Sequence, residues 1–264
     1  MDVKEYNVEV AHGKQNHPWE YARFEVVTDM LCSVLKEKKG EPLNIIDIGC
    51  GDAFFLEQLS KRFENCNFFA VDTAFTSDML TFFQKKYHDE NIKFYQNLSE
   101  LQTACDKIDL VLLLDVIEHV EDDVALLSSL HKLSGFNSET IVVTTVPAYQ
   151  SLFCSHDKFL EHYRRYSLKT LQQRLRESGF TPTKSGYFFF SLLLPRILQK
   201  TKELFIKPNI NHITGIGDWN GSKFSTKFFK NILIADYKIS KILRYVGIKL
   251  PGLSCYSISK QNSI

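Results

Sequence analysis

From about residue 18 to residue 190 the chain alternates short apolar runs with segments of helical period, and this alternation is its strongest signal. The runs are Asn44 to Ile48, Asn67 to Val71, Ile92 to Tyr95, Ile108 to Leu114, Thr140 to Val146 and Pro182 to Phe190. Such short, continuous runs predict strands covered on both faces. The helical segments between them predict βαβ units, and so a parallel sheet with helices on each side. His17-Pro18 opens a helix ahead of the first strand, with Trp19, Phe24, Val27, Leu31, Val34 and Leu35 at helical spacing as far as Lys39-Gly40. Ser167 to Thr170 reads as an N-cap into a later helix that Gly179 stops. A last strand, Leu253 to Ser259, follows the Pro251-Gly252 turn. The expected architecture is a three-layer α/β sandwich. Its sheet has seven mostly parallel strands, the last two paired as an antiparallel hairpin.

Residues 191 to 250 break this rhythm with a Pro-interrupted apolar segment, a polar loop from Asn209 to Gly221 and one long helical pattern. That pattern lines up Phe224, Phe228, Ile232, Ala235, Ile239, Ile242 and Val246, with Lys223, Lys227, Lys230, Lys238 and Lys241 opposite. The plain expectation is that the apolar stripe packs on the sheet and the lysines face solvent. The sharper one is a surface that meets anionic lipid or a lipid-linked substrate. Charge adds to the contrast. The whole chain carries 32 basic against 31 acidic residues, which argues against a strongly basic nucleic-acid binder. Residues 196 to 250, however, hold 11 basic and 3 acidic side chains, and residues 1 to 195 hold 20 and 28. The longest uncharged apolar run, Tyr187 to Pro195, has nine residues, against the roughly 20 of a membrane span. The opening MDVKEYNVEV lacks the apolar stretch of a signal peptide. The six cysteines (Cys32, Cys50, Cys66, Cys105, Cys154 and Cys255) are scattered without a C-x-x-C pair. A cytoplasmic setting is expected, with residues 187 to 246 as the candidate for peripheral contact with an anionic membrane at its inner face.

Chemistry concentrates where the apolar runs end. The first strand delivers Asp47-Ile48-Gly49-Cys50-Gly51-Asp52-Ala53 into a helix. That order of strand, glycine loop and helix lets backbone approach a nucleotide-type ligand at the carboxyl end of the strands. The second strand ends in Asp72, 25 residues after Asp47, where an acid accepts the ribose hydroxyls of an adenosine. The third runs into Gln96-Asn97-Leu98, an amide to read an adenine edge and a side chain to cover the ring. The fourth ends in Asp115-Val116-Ile117-Glu118-His119-Val120. Four strand tips thus present polar groups on one rim.

Together these motifs resemble the class I S-adenosylmethionine-dependent methyltransferases, over nearly the whole chain. IIDIGCGDAFF matches the glycine loop, with Ala53 where a third glycine is common; FAVDTAF matches the acidic second strand, and DLVLLLDVIEHVEDD the fourth strand and its turn. A NAD-binding site fits less well, since Phe54 stands where G-x-G-x-x-G needs its last glycine. The resemblance implies a Rossmann-like core that takes S-adenosylmethionine and releases S-adenosylhomocysteine. Asp47, Gly49, Cys50 and Gly51 would line the methionine part, Asp72 and Thr73 the ribose, and Asn97 with Leu98 the adenine, with Asp115 alongside. The segment VPAYQSLFCSHDKFLEHYRRYSLKTLQQRLRESGF resembles a bacterial subgroup acting on glycans, lipids or secondary metabolites. It would bring His156, Asp157, His162, Arg164, Arg165 and Tyr166 to the acceptor.

Methyl transfer is an in-line displacement that asks for alignment and exclusion of water, and an oxygen nucleophile must also lose its proton. His156 is the expected base, His119 and His162 its rivals, with Asp157 orienting the imidazole. Arg164 and Arg165 would bind an acidic acceptor or pair with Glu161 and Glu118. A metal-assisted reading stands beside this one. Asp115, Glu118 and His119 would share a helical face and His156 would join them around a divalent ion, as in metal-assisted O-methyltransferases. The chain divides on this reading into an N-terminal helical segment (1–43), a donor-binding core (44–190), a basic amphipathic insertion or lid (191–250) and the last strand (251–264). The expected function is O-methylation of a small or lipid-linked metabolite with a phenolic, polyene-type or sugar hydroxyl. C-methylation of an aromatic ring, 2′-O-methylation of RNA and a non-catalytic donor-binding scaffold are the alternatives; the acidic body counts against RNA.

Overall fold

A computed structural model describes residues 16–35, 40–88, 90–103, 105–206, 219 and 221–262. The apolar runs become seven strands: β1 (Asn44–Ile48), β2 (Asn67–Val71), β3 (Ile92–Tyr95), β4 (Leu110–Leu114), β5 (Ile141–Pro147), β6 (Phe180–Phe188) and β7 (Ser254–Gln261). Eight α-helices accompany them among the described residues: α1 (Pro18–Val34), α2 (Phe54–Ser60), α3 (Ser77–Lys86), α4 (Asp123–Ser129), α5 (Ser155–Phe159), α6 (Leu168–Glu177), α7 (Leu193–Phe205) and α8 (Lys223–Tyr245). The strands form one sheet in the order β3-β2-β1-β4-β5-β7-β6. The first five are parallel, and β7 inserts antiparallel between β5 and β6.

Burial on both faces explains the continuous apolar runs. Alternate residues feed two cores: Ile45, Leu110 and Leu112 one, Ile46, Val111 and Leu113 the other. Parallel register brings Ile48 level with Val71 and Leu113, and Val71 level with Tyr95, so the strands end on a common rim. β6 starts at Phe180, two residues before its apolar pattern, because its pairing with β7 carries the polar Thr181 along. Ser167 caps α6 by accepting the Thr170 N–H, and Gly179 follows the helix at φ 83°. Met1–Gln15, residues 36–39 and most of the 209–221 loop lie outside the described residues, and with them the expectations placed there.

The long helix forms, but turned over. α8 packs on α1 and buries Thr226, Leu233, Tyr237 and Ser240. The expected apolar stripe, Phe224, Phe228, Ile232, Ile239, Ile242 and Val246, faces outward instead. The reason lies on α1, which offers acids. The Tyr237 hydroxyl donates to Asp29 at 2.7 Å, Lys241 Nζ reaches Asp29 at 2.6 Å, and Lys230 Nζ reaches Glu25 at 3.2 Å. Among the described residues no helix is long and apolar enough to cross a membrane.

Candidate active site

At the rim β1 and β2 lock their loops together. Gly49 N–H donates to the Val71 carbonyl at 2.7 Å, and Gly51 N–H to the Asp72 carboxylate at 3.0 Å. The other Asp72 oxygen accepts the Ala74 N–H at 2.9 Å. Gly49 sits at φ 69°, where a Cβ would stand 2.7 Å from Val116, so no larger residue fits this close approach. Ala53 takes up a left-handed conformation at φ 60°, the work a third glycine would do. Asp47 is buried with Oδ1 unpartnered, and burial pushes its carboxyl up to about 7 against the opposing field of Arg23.

Asp115, expected on a helical face with Glu118 and His119, stands elsewhere. It adopts φ 59° at the end of β4, and only Ile117–His119 form a single 3₁₀ turn. Its carboxylate pairs with Arg23 of α1 and accepts the Thr145 hydroxyl at 3.3 Å. Arg23 escaped the sequence reading, which followed the apolar side of α1; the charged residue on the other side was the available signal.

The segment after β5 gathers around Asp157, which is fully buried. Its carboxylate bonds His162 Nδ1 at 3.0 Å, Arg165 Nε at 2.7 Å and the Cys154 N–H at 2.9 Å. Burial alone would raise this carboxyl; these partners, His162 and Arg165 foremost, hold it well below the usual carboxylate range. His156, beside Asp157 in sequence, is not its partner. Burial, helped by the Arg196 charge, lowers His156 to about 4. Arg165 donates also to the Ala148 carbonyl at 3.2 Å. Arg164 pairs with Asp123 at 3.1 Å rather than with Glu161. Tyr166 is buried with its hydroxyl donating to Asp123 at 2.7 Å.

The His119 and His162 rings meet edge to face, centroids 4.6 Å apart. Glu118 is fully buried, neither of its carboxylate oxygens finds a partner, and burial with the nearby Asp115 charge raises its carboxyl far above normal. Ligand atoms of Glu118, His119 and His162 lie within 4.8 Å of one another. Of the residues expected around a metal, Glu118 and His119 are thus together, while Asp115 and His156 are outside the group, because Asp115 turns to Arg23.

One cavity of about 1320 Å³ joins these parts. Asp47, Gly49, Cys50, Gly51, Asp72, Thr73 and Asp115 line it, as do Glu118, His119, His156, His162 and Arg165. Asp157 and Tyr166 do not line it, though Asp157 bonds His162 and Arg165, which do. Asn97 and Leu98 lie outside: the Asn97 amide donates to Glu100 at 3.2 Å, and Leu98 packs on the second core. Leu192, Pro195 and Arg196 at the start of α7, with Phe229 and Ile232 of α8, close the far side. α7 is strapped to the α5 segment: Ser155 Oγ donates to Glu203 at 2.5 Å, Lys200 to the Phe153 carbonyl at 2.5 Å, and Arg196 to Cys154 Sγ at 2.9 Å.

A family model described as a methyltransferase domain matches residues 19–185. A malonyl-[acyl-carrier protein] O-methyltransferase of Bacillus cereus is 36% identical over 67 residues, covering 25% of this chain and 24% of that protein. The match thus spans about a quarter of that relative's length. Among solved structures, the plantazolicin methyltransferase BamL, in complex with a triazolic desmethylPZN analog and S-adenosylhomocysteine, superposes with a TM-score of 0.53 at 16% identity, over 92% of this chain and 86% of that one. A Haemonchus contortus phosphoethanolamine N-methyltransferase 2, in complex with phosphomonomethylethanolamine and S-adenosylhomocysteine, superposes at 0.52 and 16% identity, over 89% and 53%. With the glycine loop, the acidic second strand and the sheet order in place, the chain belongs to the methyltransferase-domain family, the class I S-adenosylmethionine-dependent methyltransferases.

Proposed function

We propose that this enzyme methylates a hydroxyl of a small or lipid-linked metabolite, with His162 as the base that Asp157 orients. The observation that carries the reading is that pair, set in the wall of the cavity that the glycine loop also lines. S-adenosylmethionine, when bound, supplies a methyl group made electrophilic by its sulfonium. The residues present fit it. The orphaned Asp47 oxygen would take up the ammonium group, Asp72 the ribose hydroxyls, and Gly49 and Gly51 would allow the backbone to come close. Asn97 and Leu98 would reach the adenine only if Asn97 released Glu100. In this division residues 44–190 hold the donor, and the 191–250 insertion walls the acceptor. The reading places the enzyme in the cytoplasm.

An ionised Asp157 accepts the Nδ1 proton of His162, which assigns the tautomer from the hydrogen bond and leaves Nε2 with its lone pair. Nε2 can then take the hydroxyl proton of an acceptor as its oxygen turns nucleophilic. His156, held near 4, is too weak a base for that task. Arg165, locked between Asp157 and the Ala148 carbonyl, stiffens the pair. Leu192, Pro195, Phe229 and Ile232 keep water from the acceptor side and suit an apolar acceptor.

A second reading has its own support in the unpartnered Glu118 oxygens beside His119 and His162. A divalent cation there would draw His162 Nε2 as ligand, with Asp157 behind it in the carboxylate–histidine arrangement common at metal sites. Calorimetric titration with S-adenosylmethionine and S-adenosylhomocysteine, with and without EDTA and Mg²⁺, tests both readings. Micromolar donor binding independent of EDTA, with no heat from Mg²⁺ or Mn²⁺, supports the base. A Mn²⁺ site abolished by Glu118→Gln supports the metal. No donor binding under any condition ends the donor-site reading.

A further inference from the structure

Nearly all the large hydrophobic side chains that stand exposed among the described residues fall between Leu194 and Ile248. On α7 they include Leu194, Leu198 and Phe205; on α8, Phe224, Phe228, Ile239 and Ile242. At about 100° per residue, the centre of the α8 stripe lies roughly 160° around the helix from the line that packs on α1. A helix with only α1 to cover would be polar on its outer side. α8 instead carries a second apolar face turned away from the protein, and such patches mark contact with something other than water.

Charge decides the occupant. Two of the three acids between residues 196 and 250 turn inward, Glu203 to Ser155 and Asp236 to Ser191, and the third, Asp218, lies outside the described residues. Lys230 and Lys241 also turn inward, to Glu25 and Asp29. Lys223, Lys227 and Lys238 border the apolar stripe, exposed and without a carboxylate partner among the described residues. An apolar stripe edged by lysines suits the headgroup boundary of an anionic bilayer. A second copy of the chain would set these lysines against one another across a two-fold contact.

We propose that the outer face of α7 and α8 seats the enzyme on an anionic bilayer and that the acceptor's apolar part enters the cavity between these helices. Continuity of surface supports the entry route. Phe229 and Ile232 line the cavity and are also 47% and 40% exposed, so apolar surface runs from the stripe into the pocket. Leu192, just before α7, and Pro195 on it line the cavity, while Leu194 and Leu198 of α7 face out. The entry route deepens the lipid-linked acceptor reading and rests on it; the seating stands by itself.

Flotation of the full chain with vesicles of phosphatidylcholine, alone or mixed with phosphatidylglycerol, tests the seating. The chain should float with the anionic vesicles and lose that binding as salt rises. The combined change Phe224→Ser, Phe228→Ser, Ile239→Ser and Ile242→Ser should weaken binding by about a hundredfold or more, the scale of withdrawing four large apolar side chains. Lys223→Glu, Lys227→Glu and Lys238→Glu together should cost about tenfold or more and remove the preference for anionic lipid. None of these residues lines the cavity, so calorimetric binding of S-adenosylhomocysteine should stay unchanged in both variants. Absence of wild-type flotation, or flotation undiminished in the apolar variant, overturns the proposal. So does a dimer in analytical ultracentrifugation that the apolar variant dissociates, since the face would then join two copies. If vesicles hold the chain while S-adenosylhomocysteine does not bind, the donor-site reading fails and the seating survives.

Discussion

On the donor side of the cavity the contacts run between close neighbours of the sheet, Gly49 N–H to Val71 and Gly51 N–H to Asp72, and most use backbone atoms. On the acceptor side, one buried carboxylate, Asp157, holds His162, Arg165 and the Cys154 N–H. α7 is then tied on through Glu203, Lys200 and Arg196. The first side is a property of strand order and glycine conformation and should tolerate loss of a side chain. The second is a side-chain network around a single hub, and damage there should spread.

The largest expected effect is at that hub. Asp157→Ala leaves the Arg165 guanidinium, 6% exposed, without its carboxylate, and should cost about 3–5 kcal/mol in denaturant unfolding. The carboxyl is depressed in the folded state, so its contribution is complete above the ordinary carboxylate range and drains away as the pH falls below it. A variant that unfolds with the wild type would show that the acceptor side has no hub. Next comes the proposed base: His162→Ala should lower kcat by about 10²- to 10⁴-fold with donor affinity kept, while His156→Ala should cost far less. Equal losses would return His156 to the leading role.

On the donor side Asp72→Ala should weaken S-adenosylhomocysteine binding by about 1.5–3 kcal/mol, the scale of hydrogen bonds to a charged group. The folded protein itself should remain intact, and unchanged calorimetric affinity would remove Asp72 from the site. The smallest effect concerns pH. Because burial holds the Asp47 carboxyl at about 7, its proton stabilises the empty protein at low pH, and that contribution is lost as pH rises through 7. An ammonium group prefers the ionised form, so donor affinity should rise as pH climbs through about 7, by up to about tenfold per unit below that point. Asp47→Asn should flatten the profile; a profile that kept its slope would assign the titration elsewhere.

The same contrast explains what the sequence made legible. All seven strands and the glycine loop could be read in advance, because apolar runs and glycines report local conformation, and parallel register then aligns the strand ends. The partner of Asp157 could not be read: His156 is its neighbour in sequence, but the turn through Glu161, at φ 58°, brings His162 back onto it. Asp115 illustrates the same limit, since its spacing to Glu118 suggested a helical face that a left-handed residue prevents. α8 illustrates another. Periodicity located its apolar stripe correctly, but which side meets the protein depended on Glu25 and Asp29 of a helix some two hundred residues earlier in the chain.

α7 has no buried residue and is held to the α5 segment by polar ties. Its opening therefore forfeits little apolar contact compared with the sheet, whose central strands are buried along β4 and along β5 as far as Val146. Hydrogen exchange should accordingly be graded, with α7 amides reporting a low-energy local opening and β4 and β5 amides only global unfolding. On the proposed reading the acceptor side can then breathe while the donor side stays assembled, a way in for an acceptor and a way out for a methylated product without disturbing the strand ends.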